Sequence, residues 1–173
     1  VCTDPNHCKA WLSKKDAFDK WGENNREVYW NKLCEAVNST HGEYMICENS
    51  VVQAFFFANS GGRTESSEDV WGGNLPYLRS VASEWDSNAP DAISEVSVPI
   101  EEFWSTLKSF NPSVIPNQGA PQISNLSSTQ GGSVAKMTIG GQCFKGTEIR
   151  SLFGLKSAKF TISTNETHVF FSV

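Results

Sequence analysis

Two clusters in this chain carry residue types that could do chemistry. The first is Ser60-Gly61-Gly62-Arg63-Thr64-Glu65, followed closely by Glu68 and Asp69. Hydroxyls, a guanidinium and three carboxylates crowd around a Gly-Gly turn, where the missing side chains let the backbone approach a ligand closely. Hydroxyls and glycine amides suit hydrogen bonding to a polar ligand. The arginine suits a charge-assisted contact with an anion, and a carboxyl with a raised pKa suits proton transfer. The second cluster is Cys2-Thr3-Asp4-Pro5-Asn6-His7-Cys8. Its turn can bring two thiols to one centre, with His7 as a third ligand, so zinc is one reading and a disulfide closing a short loop is the other. With only two or three protein ligands, the zinc site would keep an open position.

The elements that must position these residues are short. Val51 opens a run through Phe55-Phe56-Phe57 that reads as a buried strand emptying into the Gly-Gly turn. Residues 43–47 form the preceding strand, with Glu48-Asn49-Ser50 as the hairpin turn. Before them, residues 24–37 repeat apolar positions with a helical rhythm and end at His41-Gly42. Past the cluster, a strand at 95–98 leads into Pro99-Ile100-Glu101-Glu102, a helix start with carboxylates in its first turn. Residues 111–122 are rich in Pro, Asn and Gly and read as a linker. Strands then follow at 122–127, 134–139, 142–144, 160–163 and 168–173, with a short helix at 147–153. The fold class is α+β: mixed, β-rich, with a few short helices and a small C-terminal β lobe. Residues 1–110 form a core with the Cys/His N-terminus and the Ser-Gly-Gly loop. Residues 111–173 form a small α/β lobe packed on it, one domain overall.

Composition narrows the function. The 173 residues are 39% hydrophobic, enough for one sizeable core or two small ones. No apolar run approaches the ~18 residues of a membrane span. Val1-Cys2-Thr3 lacks the basic start and apolar core of a signal peptide, so the expectation is a soluble chain. The net charge of −5, with scattered Lys and Arg, argues against nucleic acid and anionic lipid. A largely neutral polysaccharide is compatible, and six Trp supply rings on which sugars can stack. Five cysteines stand at 2, 8, 34, 47 and 143; the last three read as small buried residues, with one disulfide among them as the alternative.

The order Phe55-Phe56-x-Ala58-Asn59-Ser60-Gly61-Gly62-Arg63-Thr64-Glu65-x-Ser67-Glu68-Asp69-Val70-Trp71-Gly72-Gly73-x-x-Pro76-Tyr77-Leu78-x-Ser80-Val81 resembles the signature of the stage II sporulation protein D family. That family comprises peptidoglycan lytic transglycosylases and the related amidase enhancers of bacterial cell walls. Looser matches follow at Glu101-Glu102-Phe103, Ile139-Gly140-Gly141, Gly146-x-Glu148-Ile149-Arg150 and Leu155-x-Ser157-x-x-Phe160-Thr161-Ile162. The resemblance implies cleavage of peptide-free glycan strands to anhydro-muramic ends during engulfment, outside the cytoplasmic membrane of a spore former, by a membrane-anchored parent. It implies an amidase and membrane-scaffold proteins as partners, and zinc at Cys2, Cys8 and His7.

Ser60, Gly61, Gly62 and Thr64 read as residues that hydrogen-bond the glycan, and Arg63 as the partner of a lactyl carboxylate, with a surface position or a local salt bridge to Glu65 as the alternative. Members carry their catalytic acid on a Pro-x-Glu-Ala-Leu-Lys-Ala-Gln-Ala type helix upstream and a Gly-His-Gly-Val-Gly-Met-Ser-Gln type motif downstream. Neither stands within these residues, so the expectation is an internal piece, with Glu65 and Glu68 as the remaining acid candidates. Phe57 occupies a position where many members have His, so no role of that His carries over. The alternative reading is a non-catalytic glycan-binding or amidase-activating module.

Overall fold

The strand Val134–Ile139 buries Val134, Met137 and Ile139, and the rest of the core is assembled around that apolar edge. The structure is a computed structural model that describes residues 4, 11–88 and 93–173. It is mixed α+β, as the sequence indicates, and divides into two compact units, Val1–Gln53 and Ala54–Val173.

The first unit holds α1 (Lys14–Trp21), α2 (Arg26–Ser39) and a hairpin of β1 (Ile46–Cys47) and β2 (Ser50–Val51). Ser13 caps α1, its Oγ accepting from the Asp16 amide at 3.1 Å. Aromatic edges hold the two helices together, with Phe18 against Trp30 at 5.9 Å and Trp21 against Tyr29 at 5.7 Å. The Lys14 ammonium lies 4.6 Å from the Trp30 ring centroid, a cation–π contact. The hairpin turns through Glu48 and Asn49, both at positive φ, the pairing a tight two-residue hairpin requires.

In the second unit, α3 (Ser67–Trp71) and a 3-10 turn at Glu84–Asn88 precede β3 (Glu95–Pro99) and α4 (Ile100–Phe110). Then come β4 (Ile123–Ser128), β5 (Val134–Ile139), β6 (Gln142–Lys145), α5 (Gly146–Leu152), β7 (Thr161–Thr164) and β8 (His168–Ser172). They form two antiparallel sheets, ordered β3-β8-β7 and β4-β5-β6. Phe103 and Leu107 of α4 share one core with Met137, Phe144, Ile149, Val169 and Phe171. Val98 of β3, ahead of α4, and Val114, behind it, join the same core.

One expectation is corrected here. The run 51–57 is not a buried strand: strand pairing ends at Val51, and Phe55, Phe56 and Phe57 are 42%, 68% and 60% exposed. The run does not alternate, so no single face of a strand could bury it. Phe55 instead stacks on Trp71 at 4.5 Å.

Among the described residues, no helix is long and apolar enough to cross a membrane.

Candidate functional site: a cleft between the Ser-Gly-Gly loop and the C-terminal strands

The segment 62–67 is held in place by a second stretch, 78–83, that runs antiparallel to it. The Thr64 amide donates to Val81 O at 2.9 Å, the Ser83 amide to Gly62 O at 2.9 Å, and the Ser67 amide to Leu78 O at 3.0 Å. Side-chain hydroxyls complete the ladder. Thr64 Oγ1 accepts from the Val81 amide at 2.9 Å and donates to Arg79 O at 3.1 Å. Ser66 Oγ accepts from the Ser80 amide at 3.0 Å. Ser67 Oγ, almost fully buried, accepts from the Leu75 amide at 2.8 Å and from Arg79 Nη2 at 3.2 Å. Thr64, expected to contact substrate, thus has its hydroxyl committed to bracing the loop.

The turn ahead of this ladder is pinned from the other side. Gly61 and Gly62 both adopt positive φ, which swings the chain around Ser60. Asp86 Oδ2 accepts from the Ser60 amide at 3.0 Å and from Ser83 Oγ at 3.1 Å. The Ser60 hydroxyl and amide, with the Ser83 hydroxyl, hold the Asp86 carboxyl below the usual carboxylate range. Ser60 Oγ favours that charge by proximity but is not aligned for a hydrogen bond, and it is buried without a partner among the described residues.

The two acids named from the sequence part ways. Glu68 forms a bidentate pair with Arg79, Oε1 to Nη1 at 2.7 Å and Oε2 to Nη2 at 2.6 Å. The Arg79 hydrogen bonds hold its carboxyl below the ordinary value, the opposite of what a proton donor needs. Glu68 is thereby suited to clamping the loop and unsuited to acid catalysis. Glu65 reaches across to the turn between β4 and β5, where Oε1 accepts from Thr129 Oγ1 at 2.9 Å and from the Ser133 amide at 3.0 Å. Its carboxyl lies directly over Gly131, so closely that a Cβ there would stand 2.3 Å from Glu65 Cδ. Oε2 is buried with no hydrogen-bond partner among the described residues. Nearby, Asp69 is raised by desolvation and by the charges of Glu65 and Glu68.

Together these contacts shape a half-open cleft of about 130 Å³. Ser60, Arg63, Thr64 and Glu65 of the signature loop line it together with Ser133, Ser157 and Lys159, and Phe57 and Asn59 are also in the lining. Lys159 spans the opening, its Nζ donating to Gly61 O at 2.6 Å. Among the described residues the ion pairs are Lys15–Asp19 and Glu68–Arg79, so the Arg63 guanidinium has no carboxylate partner.

Ser133, Ser157 and Lys159 were not singled out from the sequence. A signal was present: Ala158 and Phe160 are apolar and buried, so Ser157 and Lys159 must project from the opposite side of an extended segment. That alternation says which side they face, not what lies there.

Cys2, His7 and Cys8 lie outside the described residues. Among the described residues, no group of three or more His, Cys, Asp or Glu could hold a metal ion. Cys34 and Cys47 are free and half-buried, and Cys143 is free and exposed rather than buried as expected.

Fold and cleft define a mixed α+β protein whose polar, cation-bearing groove is built on one sequence-distinctive loop. No family model matches the chain. It is 31% identical over 163 residues to stage II sporulation protein D of Bacillus subtilis (strain 168), covering 94% of this chain and 46% of that protein. The same protein from Bacillus amyloliquefaciens is also 31% identical over 163 residues, with 94% and 45% covered. The chain belongs to the stage II sporulation protein D family, and it spans a little under half the length of these relatives.

Proposed function

We infer that this chain is the glycan-gripping part of a sporulation cell-wall enzyme, a lytic transglycosylase that cuts peptide-free peptidoglycan strands to anhydro-muramic ends. The observation that carries this reading is the cleft itself. Ser60 and Arg63 of the signature loop line it with Ser133, Ser157 and Lys159, and together these offer hydroxyl and cationic donors to a sugar chain. Phe57 adds an apolar face at the same site.

The chemistry asks for one acid. It protonates the oxygen of the leaving sugar, and its carboxylate then takes the proton from the muramic hydroxyl that attacks the anomeric carbon, closing the anhydro ring. Glu68 is tied to Arg79, and one oxygen of Glu65 is tied to the β4–β5 turn. The resemblance places the proton donor on an upstream acidic helix, and in this reading Ser60, Gly61, Gly62 and Arg63 position the strand. The same engagement of both acids favours a second reading, a non-catalytic glycan-binding or amidase-activating module. In either case the protein would work outside the cytoplasmic membrane, beside an amidase that strips the peptides and a membrane scaffold.

Digestion of peptide-free strands by the full-length protein, with mass spectrometry of the ends, separates these readings. Anhydro-muramic ends that persist in Glu65→Gln and Glu68→Gln support the enzyme with its acid upstream. Loss of cleavage in Glu65→Gln with binding intact would move the acid to Glu65. Binding without cleavage by the unsubstituted protein leaves the module, and absence of both overturns the assignment to glycan.

A further inference from the structure

We propose that Arg63 and Lys159 form a carboxylate-reading subsite, which makes Lys159 a specificity-determining residue; this rests on the glycan reading above. The argument begins with charge. Two cations, Arg63 and Lys159, and one carboxylate, Glu65, line the cleft. Glu65 pairs with neither cation: its Oε1 is turned onto Thr129 and Ser133. The cleft therefore presents more positive than negative charge, although the chain as a whole carries −5.

Lys159 is also held in place, unlike an ordinary surface lysine. Its stem passes between two glycines: Cε lies 3.1 Å from where a Gly132 Cβ would stand, and Cδ lies 3.2 Å from where a Gly61 Cβ would stand. The bond to Gly61 O uses one of the three ammonium donors and leaves two for a ligand. Ser133 and Ser157 stand in the same lining and suit neutral hydroxyls. A ligand matched to this set is polar, mostly uncharged, and bears an isolated carboxylate. On a glycan strand, that group is the lactyl carboxylate of a muramic residue whose peptide has been removed; a stem peptide would replace it with a neutral, bulkier amide. The cleft thus selects stripped strands by a charge-assisted contact as well as by fit.

The test is binding of the full-length protein to peptide-free strands and to the same strands with their carboxylates converted to methylamides. Conversion should weaken binding about tenfold or more, the scale of one lost charge-assisted contact. Lys159→Met and Arg63→Met should each erase that preference, and Lys159→Arg should keep it. Since Lys159→Met also removes the bond to Gly61 O, its melting temperature is measured alongside; if it unfolds, Arg63→Met, which breaks no ion pair, decides the matter. Equal binding of both strand forms would overturn the carboxylate subsite while leaving the glycan reading standing. A preference that persists in folded Lys159→Met and Arg63→Met would overturn it too. Binding of neither form would overturn the glycan reading itself.

Discussion

Replacing Gly131 by alanine tests whether the Glu65 carboxylate holds the signature loop to the β4–β5 turn. A Cβ at this position would stand 2.3 Å from Glu65 Cδ and 2.4 and 2.5 Å from its two oxygens, so the carboxyl must leave. It then loses the bonds from Thr129 Oγ1 and the Ser133 amide. Hydrogen bonds to a charged group contribute roughly 1.5–3 kcal/mol each, and rehydration of a half-buried carboxylate returns part of that. Gly131 does not adopt positive φ, so alanine brings no backbone strain and recovers up to about 1 kcal/mol through the unfolded state. The expected net loss is about 2 kcal/mol, or roughly 4–8 °C in melting temperature for a chain of this size. Urea unfolding at neutral pH would measure it. Gly73→Ala is the control, because nothing lies within 4 Å of a Cβ there and no positive φ is involved; its stability should stay level or rise slightly. In a Glu65→Ala background, Gly131→Ala should cost almost nothing, giving a coupling of about 2 kcal/mol. Equal losses with and without the Glu65 carboxylate would refute the reasoning, as would a Gly131→Ala protein as stable as the parent.

Three further predictions follow from the loop and the N-terminus. The Glu68 carboxyl is depressed by Arg79 and that of Asp86 by Ser60, so their stabilisation is full above their unfolded values of 4.5 and 3.8 and is lost as pH falls through the lower folded values. Amide protection factors across 60–68 should therefore fall on acidification below about pH 4, and Glu68→Gln should already show part of that fall at pH 7. Ser67→Ala leaves the half-buried Leu75 amide without its acceptor, while Arg79 Nη2 keeps Glu68 Oε2 and Leu75 O, and should destabilise the protein by about 1–3 kcal/mol in urea melts. Zinc at the N-terminal cluster predicts close to one equivalent of metal by elemental analysis, lost in Cys2→Ser and Cys8→Ser; a metal-free protein whose two thiols are oxidised would instead establish the disulfide.

Legibility followed how local the information was. The strands 134–139 and 142–144 could be read because a Gly-Gly pair separates them and the pattern within them is local, and the structure pairs them as β5 and β6. The Glu48-Asn49 turn was readable for the same reason. The aromatic run 51–57 misleads because apolar composition alone does not bring burial, and the packing Phe55 does have comes from Trp71 on a separate helix. The short helix α3 went unread, since its five residues are held by the contacts of Ser66 and Ser67 with 75–80 rather than by any periodic apolar face. The loop that carries the cleft was visible as a cluster of polar residues, but its division of labour was not. Whether a hydroxyl braces or binds is decided by partners such as Arg79 and Val81. Glu65 meets its partners 64 and 68 residues downstream, and Lys159 meets Gly61 across 98, separations at which spacing carries no geometric information.

The most direct test of the central claim, that this cleft grips peptidoglycan strands, is hydrogen exchange of the full-length protein with and without peptide-free glycan. Binding as described should slow exchange at 59–65, at Ser133 and at 157–159, and leave the strands β3, β7 and β8 unchanged. Protection confined to other segments, under conditions where the strands demonstrably bind, would contradict the claim.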